Sequence, residues 1–206
     1  MREYPKIETL LDRDEHFKVM PGKWRLPELD FLQANQWLFT EKIDGTNVRI
    51  GWNGQAFTYG GHTEKAPMPL FLLRRLQELL PASLMLDSFP SATDVTLYGE
   101  GYGAKIRKRG DNYKSDGVDF VLFDVLVDAW WLTRENVEDV ARKLGIRCVP
   151  IVGQGTLQEA LALAQKGFAS QWGAFPAEGL VVRPLVDLWT RKGQRIIGKI
   201  KTRDFG

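Results

Sequence analysis

The sequence predicts an α+β protein of largely antiparallel sheets flanked by helices. Short runs of aromatic and β-branched residues outnumber segments with helical spacing, turn dipeptides link neighbouring strand candidates, and no βαβ alternation appears. The 206 residues are 44% hydrophobic and 26% charged, enough apolar content for a chain of this length to bury about 70% of its unfolded surface. That excludes disorder as the main state. Lys and Arg number 28 against 26 Asp and Glu, so local clustering of charge, not net charge, has to indicate partners. Cys148 is the only cysteine, which forbids an intramolecular disulfide and fits a reducing compartment. The start, Met1-Arg2-Glu3-Tyr4-Pro5, lacks an apolar signal core. The longest near-apolar run, Phe120–Leu126, holds Asp124 and is too short to span a bilayer. The expectation is one soluble cytoplasmic domain over residues 1–206, with no membrane association.

The first thirty residues mix Pro, Gly and charge and read as an irregular lead-in with room for a short helix. Trp37–Glu41 and Val48–Trp52 read as strands separated by the turn chemistry of Asp44-Gly45. Asn53-Gly54 suits a tight hairpin to Gln55–Tyr59. Leu72, Leu73, Leu76, Leu79 and Leu80 follow helical spacing within Leu70–Leu80. Val95–Tyr98 and Phe120–Val127 are strands, the second buried on both faces. Thr133–Leu144 is a helix stopped by Gly145, and Thr156-x-x-Glu159 is a capping box that opens another. Leu180–Arg183 and Arg195–Lys201 are the last strands.

Five segments carry chemistry. In Glu41-Lys42-Ile43-Asp44-Gly45-Thr46-Asn47 a lysine ends an apolar strand before a turn, where desolvation and nearby cations can make its amine a nucleophile. Taken alone, the tetrapeptide is a weak signal and Lys42 reads as an exposed strand-end lysine beside a turn. Leu97-Tyr98-Gly99-Glu100-Gly101-Tyr102-Gly103 sets a carboxylate among glycines that let a ligand approach the backbone. Asp124 lies inside an apolar run, a costly place for a carboxylate without a partner. Glu178 stands at the mouth of the strand Leu180–Arg183. Lys199 and Lys201, two apart, share one strand face and suit phosphate oxygens.

In this order and spacing the five segments resemble motifs I, III, IIIa, IV and V of the covalent nucleotidyltransferase superfamily, the polynucleotide ligases and capping enzymes. The resemblance runs from Glu41 to Lys201. Glu41 before the lysine and Asn47 after it resemble the RNA ligase 2-like branch, since DNA ligases and capping enzymes usually carry Arg in place of Asn47. The resemblance implies a nucleotidyltransferase (adenylation) fold and an ATP-dependent RNA ligase that joins 3′-hydroxyl and 5′-phosphate ends. It implies Lys42 as nucleophile on the α-phosphorus of ATP, with Lys199 and Lys201 neutralising the phosphate. Glu178, with Asp44 or Asp124, would hold Mg²⁺ or Mn²⁺. Glu100 would bind the ribose and Phe123 would stack on adenine; Glu41, Gly45 and Asn47 complete the nucleotide pocket. The alternatives are a small ATP-dependent DNA or repair ligase of the same fold, and a degenerate nucleotide- or nucleic-acid-binding domain without sealing activity.

Two departures from the pattern stand out. His62 occupies the place of an Arg that usually touches the nucleotide, and Lys65, Arg74 or Arg75 are the candidates to replace that cation. Only Thr202–Gly206 follow the last motif, so no C-terminal OB or RNA ligase 2-type domain is expected. Lys105, Arg107, Lys108, Arg109 and Lys114 form one basic group. Arg183, Arg191, Lys192, Arg195, Lys199, Lys201 and Arg203 form a second. Both suit the backbone of an RNA, DNA or hybrid strand, at open ends or nicks. The seven tryptophans, Trp172 and Trp189 among them, read as core or rim and none as a base-stacking platform.

Overall fold

Trp37 and Phe39, two apart on one strand, turn the same way and begin the core of one of two units into which the chain divides. The structure, a computed structural model, describes residues 1–63, 66–92 and 94–205. One unit comprises Met1–Tyr4 with Asp44–Val149, the other Pro5–Ile43 with Pro150–Gly206. In chain order the strands are β1 (Glu8–Thr9), β2 (Leu11–Arg13), β3 (Val19–Trp24), β4 (Trp37–Glu41), β5 (Thr46–Trp52), β6 (Phe57–Gly60) and β7 (Val95–Tyr102). They continue as β8 (Asp119–Val127), β9 (Trp130–Trp131), β10 (Arg147–Cys148), β11 (Ile151–Gly155), β12 (Gly179–Pro184) and β13 (Gly198–Lys201). The α-helices are α1 (Pro27–Phe31), α2 (Leu70–Leu79), α3 (Ala82–Ser88), α4 (Arg134–Lys143) and α5 (Leu157–Lys166).

In the unit of residues 44–149, β10-β8-β7-β5-β6 form a sheet, with β9 paired to β8. Val48, Ile50, Trp52, Phe120, Leu122 and Val125 pack on one side against Leu72 and Leu76 of α2 and Val137 and Val140 of α4. Alternation sends Asn47, Arg49 and Glu100 to the opposite side. Across that side runs the N-terminal tetrapeptide. Tyr4 packs its ring against Tyr98, Phe123 and Trp131, with centroids 5.0, 5.0 and 5.6 Å away. The Tyr98 hydroxyl donates to the Arg2 carbonyl at 3.0 Å.

In the unit of residues 5–43 and 150–206, β1-β13-β12-β4-β11 form a sheet and β2-β3 a small ribbon. Leu10, Trp37, Phe39, Leu180, Val182 and Ile200 pack on Leu157, Ala160 and Ala164 of α5. Helix α5 opens on the expected capping box of Thr156 and Glu159. Helix α4 starts one residue after its cap, where the Thr133 side chain accepts from the Asn136 N–H.

Several boundaries move. Strands β4 and β5 do not form a hairpin around Asp44-Gly45, because they belong to different sheets. The lead-in is not irregular: it holds β1, β2 and β3. Strand β7 runs through Gly99 and Gly101 to Tyr102, and α3 follows Pro81. Two edge pairings, β1 with β13 and β10 with β8, are parallel. No helix among the described residues is long and apolar enough to cross a membrane.

Candidate active-site residues

Strands β4, β12 and β13 lie side by side, in register Leu180↔Glu41 and Gly179↔Lys201. That pairing brings three distant sequence positions together. The Lys42 N–H donates to the Gly179 carbonyl at 2.9 Å, and the Thr202 N–H to the Glu178 carbonyl at 2.9 Å. Glu178 is thereby fixed between the two flanking segments. Its Oε2 meets Lys42 Nζ at 2.7 Å and its Oε1 meets Lys201 Nζ at 2.7 Å. One carboxylate is shared by two ammonium groups. Lys199 points to the same face as Lys201. Burial, reinforced by the charges of Lys42 and Lys201, holds its ammonium below the ordinary lysine pKa. Three lysines around one glutamate leave an excess of positive charge that suits a phosphate.

Glu41 is turned away from this group and is almost fully buried. Ser170 Oγ donates to its Oε1 at 2.6 Å and the Gln171 N–H to its Oε2 at 2.8 Å. Ser170 Oγ in turn accepts from the Trp172 N–H at 3.0 Å. Burial outweighs these two donors and pushes the Glu41 carboxyl above its ordinary value. Glu41 therefore ties the loop at 170–172 to the strand that ends in Lys42. Neither Ser170 nor Gln171 carries a sequence signal for that role, since an isolated Ser-Gln pair has no pattern.

The other unit carries the second group. Asn47 is directly opposite Glu100 in the β5–β7 pairing. Asn47 Oδ1 is buried with no hydrogen-bond partner among the described residues, an acceptor that a bound donor would satisfy. Gly45 approaches the β7 backbone so closely that a Cβ there would sit 2.3 Å from the Gly101 carbonyl oxygen and 2.8 Å from Glu100 Cγ. No larger residue fits that turn. The Gly45 carbonyl accepts from Arg107 Nε at 2.9 Å, and the Asp44 N–H donates to the Tyr113 hydroxyl at 3.4 Å. The first basic group is thus anchored to the turn after Lys42. The sequence marks Arg107 only as a cation for a nucleic-acid strand, whereas its guanidinium also braces Gly45. Lys108 and Arg109 are exposed.

Phe123 sits where the β7–β8 register shifts, Tyr98 pairing with Asp124 but Gly99 with Leu122. It is the extra residue of a β-bulge, a device that re-aims a side chain. Asp124 follows Phe123 in β8. It is fully buried, and its carboxylate accepts from the Tyr4 hydroxyl at 2.8 Å and from the Val125 N–H at 3.1 Å. Its position is that of a buried acceptor under the aromatic group that carries Phe123. Among the described residues no cluster of three or more His, Cys, Asp or Glu side chains could hold a metal by itself.

His62 is exposed in its loop. Beside it, Arg49 reaches from β5 and donates Nε to the Gly61 carbonyl at 2.8 Å. An arginine therefore does stand next to this loop, but from the preceding strand and buried. Arg75 is committed to Asp119 at 3.3 Å and, with Arg74, belongs to the helix packed on the opposite side of the sheet. Lys65 lies outside the described residues.

A family model described as RNA ligase matches residues 35–201. Among solved structures, a Naegleria gruberi RNA ligase mutant with ATP and Mn is 20% identical with a TM-score of 0.66, covering 97% of this chain and 57% of the other. The same protein with PPi gives 19% identity, a TM-score of 0.67 and coverage of 98% and 62%. A further mutant with AMP and Mn gives 19%, 0.69, 98% and 58%. These likenesses show a shared nucleotidyltransferase fold, and the chain spans about three fifths of the length of those proteins.

Proposed function

Since the chain belongs to the RNA ligase family, we propose that it is an ATP-dependent ligase sealing 3′-hydroxyl and 5′-phosphate RNA ends through an AMP adduct on Lys42. The observation that supports this most is the shared carboxylate: Glu178 holds Lys42 and Lys201 at 2.7 Å each. For reaction, Nζ of Lys42 leaves Glu178, loses a proton and attacks the α-phosphorus of ATP. The N–P bond forms as the bond to the bridging oxygen breaks, and pyrophosphate departs with that electron pair. A 5′-phosphate oxygen then displaces Lys42 from AMP, and finally the 3′-hydroxyl displaces AMP from the 5′-phosphate. Each displacement accumulates charge on phosphoryl oxygens, which Lys199 and Lys201 face from one strand.

A divalent cation fits the donor set, because both Glu178 oxygens already accept from cations and Mg²⁺ commonly takes one or two carboxylates plus substrate phosphates. Glu178 would hold Mg²⁺ or Mn²⁺, which supplies charge neutralisation at phosphorus when bound. Glu100 and the Asn47 acceptor opposite it are assigned to the ribose and neighbouring atoms, and Phe123 to the adenine face. Glu41 and Asn47 favour the RNA ligase 2-like branch. His62 is assigned no phosphate contact.

The test is incubation with ATP and Mg²⁺ or Mn²⁺, followed by intact mass spectrometry. The parent gains one acid-labile AMP, Lys42→Ala gains none, and ATP labels far better than GTP. An unlabelled parent, or a labelled Lys42→Ala, overturns the proposal.

A further inference from the structure

The segment joining β12 to β13 is neither a plain loop nor part of the core. Ile196 N–H donates to the Leu188 carbonyl at 2.9 Å, Thr190 N–H to the Gln194 carbonyl at 2.8 Å, and Trp189 bridges Arg195 antiparallel. Thr190 Oγ1 accepts from the backbone of Lys192 and Gln194 at 3.3 and 3.2 Å. Leu188 and Ile196 pin the base of this hairpin to the core. The backbone is therefore ordered, yet its side chains face water: Trp189 is 46% exposed, and Leu185 and Val186 are 52% and 72% exposed. A single exposed apolar residue needs no explanation. A tryptophan held outward on a built hairpin, with two more exposed apolar residues on the same connection, does.

Charge indicates what it faces. The Asp187 carboxylate is taken by Arg195 at 3.3 Å. Arg191 and Lys192, both exposed at the tip, have no ion-pair partner among the described residues. The tip is an aromatic plane flanked by free cations, which suits a base stacked on the ring with phosphates beside it.

Position supports the same occupant. Lys199 lies four positions from Arg195, at most about 14 Å of extended chain, and a cross-strand neighbour adds about 5 Å. Trp189 is then within roughly 20 Å of the lysine pair, about six stacked nucleotides at 3.4 Å each. We propose that the hairpin Leu188–Ile196 is a docking point for the RNA strand, Trp189 stacking on a base and Arg191 and Lys192 holding the adjacent phosphates. RNA as occupant rests on the ligase reading, while the stacking site is argued from the hairpin itself.

The experiment measures three quantities on Trp189→Ala, Trp189→Phe and Arg191→Ala/Lys192→Ala. They are affinity for a 5′-phosphorylated RNA oligonucleotide without ATP across a salt series, Lys42 adenylylation, and sealing of pre-adenylylated RNA. Trp189→Ala should weaken RNA binding about 5- to 100-fold, and Trp189→Phe should restore most of it. The double cation variant should flatten the dependence of log affinity on log salt by about 1.4. Adenylylation should match the parent in all three. Unchanged RNA affinity in Trp189→Ala overturns the proposal, as does a parallel loss of adenylylation, which would make the hairpin a support for the flanking strands. A changed oligomeric state with unchanged RNA affinity also overturns it, in favour of a protein contact. If the parent is never adenylylated yet binds RNA through Trp189, the ligase reading fails and the docking site stands.

Discussion

Replacing Tyr4 with Phe removes a single oxygen atom and isolates the bond between the N-terminal tetrapeptide and Asp124. That bond is 2.8 Å long, lies out of solvent and ends on a carboxylate. A hydrogen bond to a charged group contributes about 1.5–3 kcal/mol. The ring remains, so no cavity forms. For a chain of this size each kcal/mol moves the melting temperature by about 2–4 °C, and Tyr4→Phe should therefore lower it by roughly 3–12 °C. Tyr4→Ala also forfeits the ring contacts with Tyr98, Phe123 and Trp131, and large-to-small aromatic replacements cost about 3–5 kcal/mol. The two variants should also differ in function. With the ring in place Phe123 keeps its packing, so Tyr4→Phe should leave the ATP concentration for half-maximal Lys42 adenylylation unchanged. Tyr4→Ala should raise it. Thermal melts by near-ultraviolet circular dichroism and adenylylation titrations provide both readings. Asp124→Ala in the Tyr4→Phe background should cost less than the two single changes added together, since both remove the same bond. Strict additivity, or a Tyr4→Phe melt identical to the parent, would refute the reasoning.

Arg107→Ala removes the donor to the Gly45 carbonyl, and losing a bond of about 1 kcal/mol should slow adenylylation roughly fivefold. Lys108→Ala/Arg109→Ala should leave that rate intact and weaken sealing most at low salt, the difference from the parent shrinking as salt rises; rapid-quench adenylylation beside a salt series of sealing separates the two, and equal rates for all variants would remove Arg107 from the turn. The Glu41 carboxyl, raised by burial above its ordinary value of 4.5, binds its proton more tightly folded than unfolded. The protein should gain stability relative to Glu41→Gln as pH falls from the raised value to 4.5. Urea melts of both proteins across that window test this, and a constant difference would show that Glu41 does not titrate there.

Legibility in the sequence followed locality. Helix α4 and the capping box at Thr156 carry their signals within a few residues, and the structure keeps them. The strands bearing Lys42, Glu178 and Lys199 were readable because each is a short apolar run beside a charged residue. Strand β7 was cut short at Tyr98 because glycines argue against a strand. Here the glycine is required: a Cβ on Gly99 would lie 2.2 Å from Phe120 Cε2. Strand β1 has no local signal because it pairs with β13, about 190 positions away, and periodicity registers only neighbours; β2 and β3 pair with each other, but a register shift between Leu11 and Arg13 interrupts their alternation. The Tyr4–Asp124 bond, spanning 120 positions, had no local trace. Asp124 is legible as a costly buried acid, but its Tyr4 partner is not.

The β4 pairings have a consequence for how the chain is made. Strands β5 to β10 sit in one contiguous stretch, so their sheet can close as soon as Cys148 has emerged. Strand β4 has to wait for its partners β11 and β12, and β12 in turn for β13. About a hundred residues separate β4 from β11, some 5–20 s of synthesis at 5–20 residues per second. Through that interval the apolar face of Trp37 and Phe39 has no sheet to join. In refolding from denaturant the same separation makes this sheet the high-contact-order part of the molecule, and its closure the slow step.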